Sequence, residues 1–419
     1  MKKSLKILFL IPTFPTLTET FIVNQIIDLM QRGHVVDIFA TAKSNQIIHS
    51  KVTEYNLLSK THYLNAPDSI YKRIVSFFKI LRKTNLKNDL KLISALNVFK
   101  FGLSALKLST FYKVAWLSKT NDNYDIVHAH FGQMSDYYFI AQKCGFLKDS
   151  KLVTTFHGYD ITPSETSLNK YKYALLLDRN MIVTVNTEFS KSLLLNIGFK
   201  PKNIHILPVG VDTSYYKPHK KKYNNNILNI LFIGRITKLK GVSKIPEICN
   251  YIINEKGIKN VQFKIIGNIH YKAEKELQRL YETIEKYNLK DYFQLIGPKN
   301  QDGIIEEMNA SHIYIMPGIR DSDGRAETQG LVIQEAQSMK LPVVVTDAGG
   351  MRYGLIDNKT GFVVEQNNIK DFASKLEFLI NNPKQRKLMG ENARDFVKKH
   401  YDSKILGDQL ERIYFNELK

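Results

Sequence analysis

Two short stretches of this 419-residue chain carry charged side chains at spacings suited to phosphate and sugar chemistry. In FIGRITKLKGV, Arg235 and Lys240 share one loop between an apolar run and Gly241. A guanidinium forks onto phosphate oxygens and an ammonium adds a point charge, so the pair reads as a diphosphate clamp. The alternative is a surface loop with two solvated cations. In DGRAETQGLVIQE, residues 323–335, Glu327 and Glu335 stand eight positions apart, and Gly330 opens an apolar helical run between them. Backbone N–H groups at a helix start favour an anion. A carboxylate accepts two hydrogen bonds from a vicinal diol such as a ribose. Against this, Glu327 could serve as a helix cap and Glu335 could face solvent. Glu335, however, lies inside LVIQEAQSM, otherwise apolar or amide-bearing, directly before LPVVVT. That setting favours a role for it.

Histidines form a second group. His157 follows the apolar run LVTTF and precedes Gly158, so it is poised at the carboxyl end of a strand; the alternative is a core histidine. Of His128 and His130 in VHAHFG, one is expected to face a cleft and one to be structural, with no preference for metal binding. Glu19 and Thr20, in LTETF, start a helix after the first strand and either contact an acceptor or phosphate or act as a cap. The acids of DSD (321–323) read as loop residues flanking a site or contacting an acceptor, with metal binding the lesser alternative.

The elements that must position these residues alternate along the chain. Short β-branched runs at 6–12, VVDIFAT, 125–130, 152–157, 181–185 and 203–208 are separated by helical patterns such as ETFIVNQIIDLMQRGH. A second series follows at 227–235, 261–267, 292–297, 312–317 and 341–346. Alternation of this kind predicts parallel sheets covered on both faces, hence an α/β chain. Residues 217–226, KPHKKKYNNN, read as the linker between the halves. The expected organisation is a first Rossmann-like domain over 1–213, a second over 214–400, and a C-terminal helix, 401–419, crossing back to the first. Ligands bind at the carboxyl ends of such strands, so the cleft between two facing sheets is the default site.

Ile70 to Lys119, inside an insertion over 68–120, breaks the pattern with eleven Lys or Arg and one acid, Asp89. Apolar residues there recur at three and four positions, as in Ile74, Phe77, Phe78 and Leu81, which predicts basic amphipathic helices. Such helices either pack on the first domain with a solvated face or dock on anionic lipid, and both can hold at once. The formal charge of +20 calls for anionic partners. No RNP-like aromatic run or zinc-finger spacing appears, so nucleic acid is not expected. Two cysteines, Cys144 and Cys249, exclude a disulfide framework. No apolar run reaches the roughly 18 residues of a membrane span. MKKSLKILFLIPTFP imitates a secretion signal but reads as a buried first strand, so a cytoplasmic or membrane-peripheral protein is expected.

Taken together, the GR-x4-K loop, the E-x7-E pair and LPVVVTDAGG resemble family 4 of the retaining, GT-B-fold glycosyltransferases. The likeness extends through FPTLTETFIVNQIIDLMQRGHVVDIFA, HAHFG, TFHGYDI and LPVGVD, and so covers the whole chain. These stretches look like the bacterial branch that builds capsule, exopolysaccharide or O-antigen. The resemblance implies a GT-B fold, two doubly wound Rossmann-like domains facing a central cleft. It implies that Arg235 and Lys240 bind the donor diphosphate, Glu335 the ribose, and Glu327 the transferred sugar. Gly330 and Leu331 would offer N–H groups to the phosphates. The base would rest near Gly297 and Pro298, and His157 beside the donor sugar. Glu19, Thr20 and His130 fall on the acceptor side. The donor would be a UDP- or GDP-sugar and the acceptor polyprenyl-linked or an oligosaccharide. No cofactor or metal is expected, and the enzyme would sit on the inner face of the cytoplasmic membrane. Many relatives carry Gly-Gly after the first strand; here that loop is PTFPTLTETF, without glycine. Two rival readings are a sugar-nucleotide epimerase on the same fold and a non-enzymatic basic protein that binds membrane or polyanion.

Overall fold

The computed structural model describes residues 3–16, 19–44, 50–84, 86–120, 123–163, 166–219, 227–268 and 274–419. Most of the expected linker, 220–226, lies outside the described residues. Seven parallel strands form the first sheet: β1 (Lys6–Phe14), β2 (Val35–Lys43), β3 (Thr61–Tyr63), β4 (Ile126–His130), β5 (Lys151–Phe156), β6 (Ile182–Val185) and β7 (Ile204–Ile206). Their order is β3-β2-β1-β4-β5-β6-β7. Six form the second: β8 (Leu228–Ile233), β9 (Val261–Ile266), β10 (Phe293–Gly297), β11 (Ile313–Met316), β12 (Val343–Thr346) and β13 (Gly361–Val364), in the order β10-β9-β8-β11-β12-β13.

Each order reverses direction once, between β1 and β4 in the first sheet and between β8 and β11 in the second. Crevices open at such reversals because the loops on either side leave for opposite faces. The central strands are closed off on both faces: Leu8 to Leu10, Ile126 to Ala129, Ile230 to Phe232 and Val343 to Val345 are all nearly inaccessible. Two strands escape a reading from sequence. β3 has three residues, THY, and β13 has four, opening on a glycine. β3 is too short and polar to show a pattern, and the GFVV of β13 stands alone between the polar stretches DNKT and EQNN.

The C-terminal helix, Ser403–Glu417, packs in the core of the first domain. Its Leu406, Leu410, Ile413 and Tyr414 join Phe9, Ile22 and Ile26. Arg32 pairs with Asp28 at 2.7 Å and donates to the Lys404 carbonyl at 2.7 Å, and His34 meets Glu411 at 3.1 Å. The two chain crossings between the domains run side by side. Val211 N–H donates to Tyr401 O at 2.8 Å, and Ser403 N–H donates to Val211 O at 2.9 Å.

The insertion forms the helices Ile70–Leu81, Leu86–Ser94, Val98–Phe101, Leu103–Leu106 and Ser109–Ala115. One face packs on the first domain through Leu92, Ala95, Phe111 and Val114. The other leaves Tyr71, Ile74, Phe78, Leu90, Phe99, Leu103 and Leu106 exposed. Arg73 is bound into the fold, donating to Pro67 O at 2.7 Å and Lys107 O at 2.9 Å.

Candidate active site

On the second domain, β8 delivers Gly234 and Arg235 to the end of the sheet, and the turn Lys238–Lys240 closes on Gly241. A Cβ on Gly241 would lie 1.7 Å from the Pro317 carbonyl oxygen, and its φ is +68°. Glycine is what lets this loop rest against the end of β11. Arg235 is exposed and lines a cavity of about 560 Å³ between the domains, together with His157, Lys240, Arg325, Glu327 and Thr328.

Lys240 Nζ and Glu327 Oε2 form an ion pair across that cavity wall, with side chains 14% and 20% exposed. The other oxygen of Glu327 accepts the Gly330 N–H at 3.1 Å and, more loosely, that of Gln329 at 3.5 Å. Burial alone would raise this carboxyl. The Lys240 ammonium and the two N–H donors outweigh it and hold the group below the ordinary glutamate range. Glu327 thus braces the start of the helix Leu331–Ser338 and lines the cleft at once. The capping alternative and the cleft alternative are both realised. The Gly330 N–H, expected at a phosphate, is given to Glu327 instead.

Glu335 lies along that helix, against Tyr216. It is only partly exposed, so the solvent-facing alternative fails. Burial lifts its carboxyl to about 7, opposed by the Tyr216 hydroxyl. Tyr216 itself, whose hydroxyl also meets Gln301 at 3.4 Å, is pushed up by burial and by Glu335. Gly297 ends β10 with φ +81° and accepts the Gly267 N–H at 3.1 Å, on the same side of the sheet as Arg235.

On the first domain, β5 ends at Phe156 and His157 follows it into the cleft wall. Phe21 and Phe131 pack against its ring, with centroids 4.9 and 4.6 Å away. Burial pushes His157 down to about 3, so the ring is neutral at physiological pH. Its Nε2 lies 3.0 Å from His130 Nδ1. The neighbouring His128 is structural: Nδ1 meets Tyr414 Oη and Nε2 meets Thr155 Oγ1, both at 2.6 Å. His130 is itself 1% exposed and stands behind His157, so neither histidine of VHAHFG lines the interdomain cavity, against the expectation that one would face a cleft. Asp160, which sequence reasoning passed over, holds this wall. Its Oδ1 accepts the N–H groups of His157 and Gly158 at 3.1 and 2.9 Å, and its Oδ2 that of Gly132 at 2.9 Å. The only hint was its place three residues after His157 in HGYD.

The domains meet through Glu327–Gln329. Thr328 Oγ1 donates to His157 O at 3.1 Å, and Thr187 Oγ1 donates to Thr328 O at 2.8 Å. Gln329 exchanges two hydrogen bonds with the Val209 backbone, at 2.8 and 2.9 Å. Thr328 and Gln329 were missed because their partners are distant in sequence. Glu19 makes no capping bond. Its carboxyl accepts from Thr16 Oγ1 at 3.2 Å and is raised by burial, against the lowering pull of that bond. Thr20 begins the helix Thr20–Gln31, one residue before Phe21. Asp321 and Asp323 pair with Arg325 at 2.8 and 3.0 Å, so the DSD acids orient a third cleft cation. Among the described residues, no group of three or more His, Cys, Asp or Glu is placed to hold a metal ion.

The fold agrees with comparisons to known proteins. The family model described as Glycosyltransferase Family 4 matches residues 18–215, and that of Glycosyl transferases group 1 matches residues 217–396. The chain is a family 4 glycosyltransferase. A protein of Escherichia coli named for colanic acid biosynthesis, the glycosyltransferase WcaL, is 26% identical over 97% of this chain and 98% of its own. A second E. coli relative is 24% identical over 70% of this chain and 76% of its own. It is named as a galactosyltransferase from UDP-Gal to α-D-GlcNAc-diphosphoundecaprenol. The solved structure of Anabaena HepE in complex with UDP superposes with a TM-score of 0.74 at 16% identity, covering 98% of this glycosyltransferase and all of HepE. That likeness shows the GT-B fold. Family 4 membership sets aside the epimerase and non-enzymatic readings.

Proposed function

We propose that this glycosyltransferase moves a hexosyl group, with retention of configuration, from a UDP- or GDP-sugar to a lipid-linked precursor of a cell-surface polysaccharide. The observation that carries the reading is the gathering of Arg235, Lys240 and Arg325 in one interdomain cavity facing neutral His157. Breaking the bond between the sugar C1 and the diphosphate oxygen leaves charge on the diphosphate. Cations preset at that oxygen stabilise the transition state most. Arg235 and Lys240 take this role, which makes transfer metal-independent. The acceptor hydroxyl attacks from the face the diphosphate leaves. It forms the new bond to C1, and its proton passes to the departing phosphate oxygen. Glu327, bonded to the helix start, is placed toward the transferred sugar, and the N–H of Leu331 toward the phosphates. Glu335 accepts from the ribose hydroxyls, and the base rests by Gly297. Glu19, Thr20 and Phe21 border the acceptor's approach.

The lipid-linked acceptor draws support from the galactosyltransferase relative, and the polysaccharide from the relative named for colanic acid biosynthesis. The insertion supports a place on the inner face of the cytoplasmic membrane. The same insertion exposes Phe78, Phe99, Leu103 and Leu106 and also Lys72, Lys79, Arg82 and Lys83. Each cation near an anionic surface is worth about 1 kcal/mol. No helix among the described residues is long and apolar enough to cross a membrane.

Nucleotide release from UDP- and GDP-sugars, with and without a polyprenyl-diphosphate-linked sugar, tests the reaction; acceptor-dependent release in EDTA is expected. Release that stops in EDTA and returns with a divalent ion overturns metal independence. Replacing Lys72, Lys79, Arg82 and Lys83 by Gln is expected to lower partition onto anionic vesicles by about tenfold or more, while transfer to a soluble acceptor persists. Unchanged partition overturns the membrane reading.

A further inference from the structure

The interdomain cavity has two unlike walls. Among the described residues, every Lys or Arg that lines it, Arg235, Lys240 and Arg325, comes from the second domain. Beside His157 the first domain contributes Tyr159, Pro163, Phe189 and Leu193, none of them charged. Phe189 and Leu193 are nearly closed off, whereas Tyr159 is 64% exposed. Single exposed aromatics are ordinary on a protein surface, but one that lines a ligand cavity is informative. The ring is also held in place. Its backbone belongs to the turn that Asp160 fixes by accepting the N–H groups of His157 and Gly158. Gly158 has φ +120°, and a Cβ there would lie 2.4 Å from Thr328 Cγ2, so the turn is pressed against the second domain. Phe131 packs beside the Tyr159 ring, with centroids 4.9 Å apart, and Gln133 Nε2 donates to its Oη at 3.4 Å. Partial burial raises the Tyr159 hydroxyl, Gln133 opposes this, and the Asp160 and Glu19 carboxyls add to the rise. Glu19 therefore stands within electrostatic reach of this ring.

We propose that Tyr159 is the platform for the acceptor, whose terminal sugar lies with its C–H face on the phenol ring. The assignment rests on the transfer reading above. A pyranose carries its hydroxyls around the rim and C–H groups on its faces. An aromatic ring covers such a face by burying apolar area and leaves the hydroxyls free to react or to bond. Tyrosine does this at small entropic cost, because it has only two side-chain torsions to fix. The donor is anchored on the opposite wall, where its diphosphate meets Arg235 and Lys240. Front-face transfer then brings the acceptor in along the first domain. On that wall His157 is the more enclosed and stands beside the donor sugar, and Tyr159, the more exposed, is left for the acceptor. Glu19 is in reach to accept from a hydroxyl of the stacked ring.

Binding is measured without the reaction. In full-length protein labelled with ¹³C-tyrosine, the Tyr159 ring signals are identified by their loss in Tyr159→Phe. They are expected to shift on titration with methyl glycosides of glucose, galactose, mannose or N-acetylglucosamine. Signals unmoved by all four overturn the proposal. Because the ring is exposed and Asp160 holds the turn, Tyr159 variants are expected to keep the wild-type urea midpoint. In steady state, Tyr159→Ala is expected to raise acceptor KM about tenfold while kcat and donor KM stay within about twofold, the pattern of lost binding at one substrate. Tyr159→Phe keeps the ring and should stay near wild type. A rise in donor KM instead, or a loss in Tyr159→Phe equal to that in Tyr159→Ala, overturns the platform. Glycosides that shift Tyr159 without transfer to any acceptor would count against the proposed reaction alone. Transfer whose acceptor KM ignores Tyr159→Ala would count against the platform alone.

Discussion

The two walls of the cleft are built on the same plan and handle charge in opposite ways. Each grows from the point where its sheet reverses, β1/β4 on one side and β8/β11 on the other. On the second domain the loops carry Arg235, Lys240 and Arg325 to the surface, with one carboxylate, Glu327, held low by its neighbours. On the first domain the titratable groups are buried, and the histidines are held neutral. The Asp160 carboxyl is enclosed by three backbone N–H groups, although burial still leaves it raised. A shared strand order around the reversal thus does not dictate the electrostatics of a site. What decides is whether the loop after the strand stays at the surface or folds under. A charged wall suits the diphosphate, whose charge grows during reaction. A neutral wall suits sugar hydroxyls, which need directed hydrogen bonds and no net field.

The contrast breaks most visibly at Lys240. Lys240→Ala is expected to lower kcat about 100-fold or more, as losing one preset charge-stabilising group does, with little effect on stability in urea. It also frees Glu327 of its partner, so donor KM should rise as well. Steady-state nucleotide release reads both, and near-normal turnover would remove Lys240 from the leaving-group role. The neutral wall should respond in the opposite sense. Asp160→Ala strips three backbone N–H groups of their acceptor and is expected to cost about 3 kcal/mol of unfolding free energy, read from urea midpoints. Its effect on kcat should follow from the loosened HGYD turn and not from lost charge.

Glu335 sharpens the comparison at smaller scale, because it is a carboxyl of the charged domain with a neutral-wall environment. Its folded value of about 7 lies above the unfolded one near 4.5. The folded state therefore holds the proton more tightly. Stability falls as pH rises from about 4.5 to 7 and levels off above. Glu335→Gln is expected to stabilise the ligand-free protein at pH 8 by about 1–3 kcal/mol and to weaken nucleotide binding at the same pH. In the wild type, nucleotide affinity should rise as pH is raised through 7, since only the carboxylate accepts from both ribose hydroxyls. Calorimetric titration at pH 6 and pH 8 measures this. A flat profile would detach Glu335 from the ribose.

Much of this arrangement was legible before any coordinates. Apolar β-branched runs located eleven of the thirteen strands, because a fully covered parallel strand has few other ways to be written. Arg235 and Lys240 were legible because both lie on one loop, a few residues apart. The crossing of the C-terminal helix belongs to the expected organisation, and Leu406, Leu410 and Tyr414 pack it into the first domain's core. What was illegible depends on distance along the chain. Lys240 and Glu327 are 87 positions apart, and Thr328 meets His157 over 171. Neither pairing leaves a local trace. Asp160 reads as an ordinary turn acid until its three donors are placed around it. Arg73, one of the eleven Lys or Arg of 70–119, is bound to the carbonyls of Pro67 and Lys107, which its sequence position does not reveal.

The helix Ser403–Glu417 has a consequence for how the chain is made. It supplies part of the first domain's core, and its Tyr414 hydroxyl holds His128 behind the site. During synthesis, residues 1–213 leave the ribosome with the groove beside Ile22 and Ile26 still open, and the piece that closes it emerges only after the whole second domain. Domains ordinarily fold as units in the order they are translated. Here the first domain translated is the last one finished, and its apolar groove stays bare until the second domain has left the ribosome.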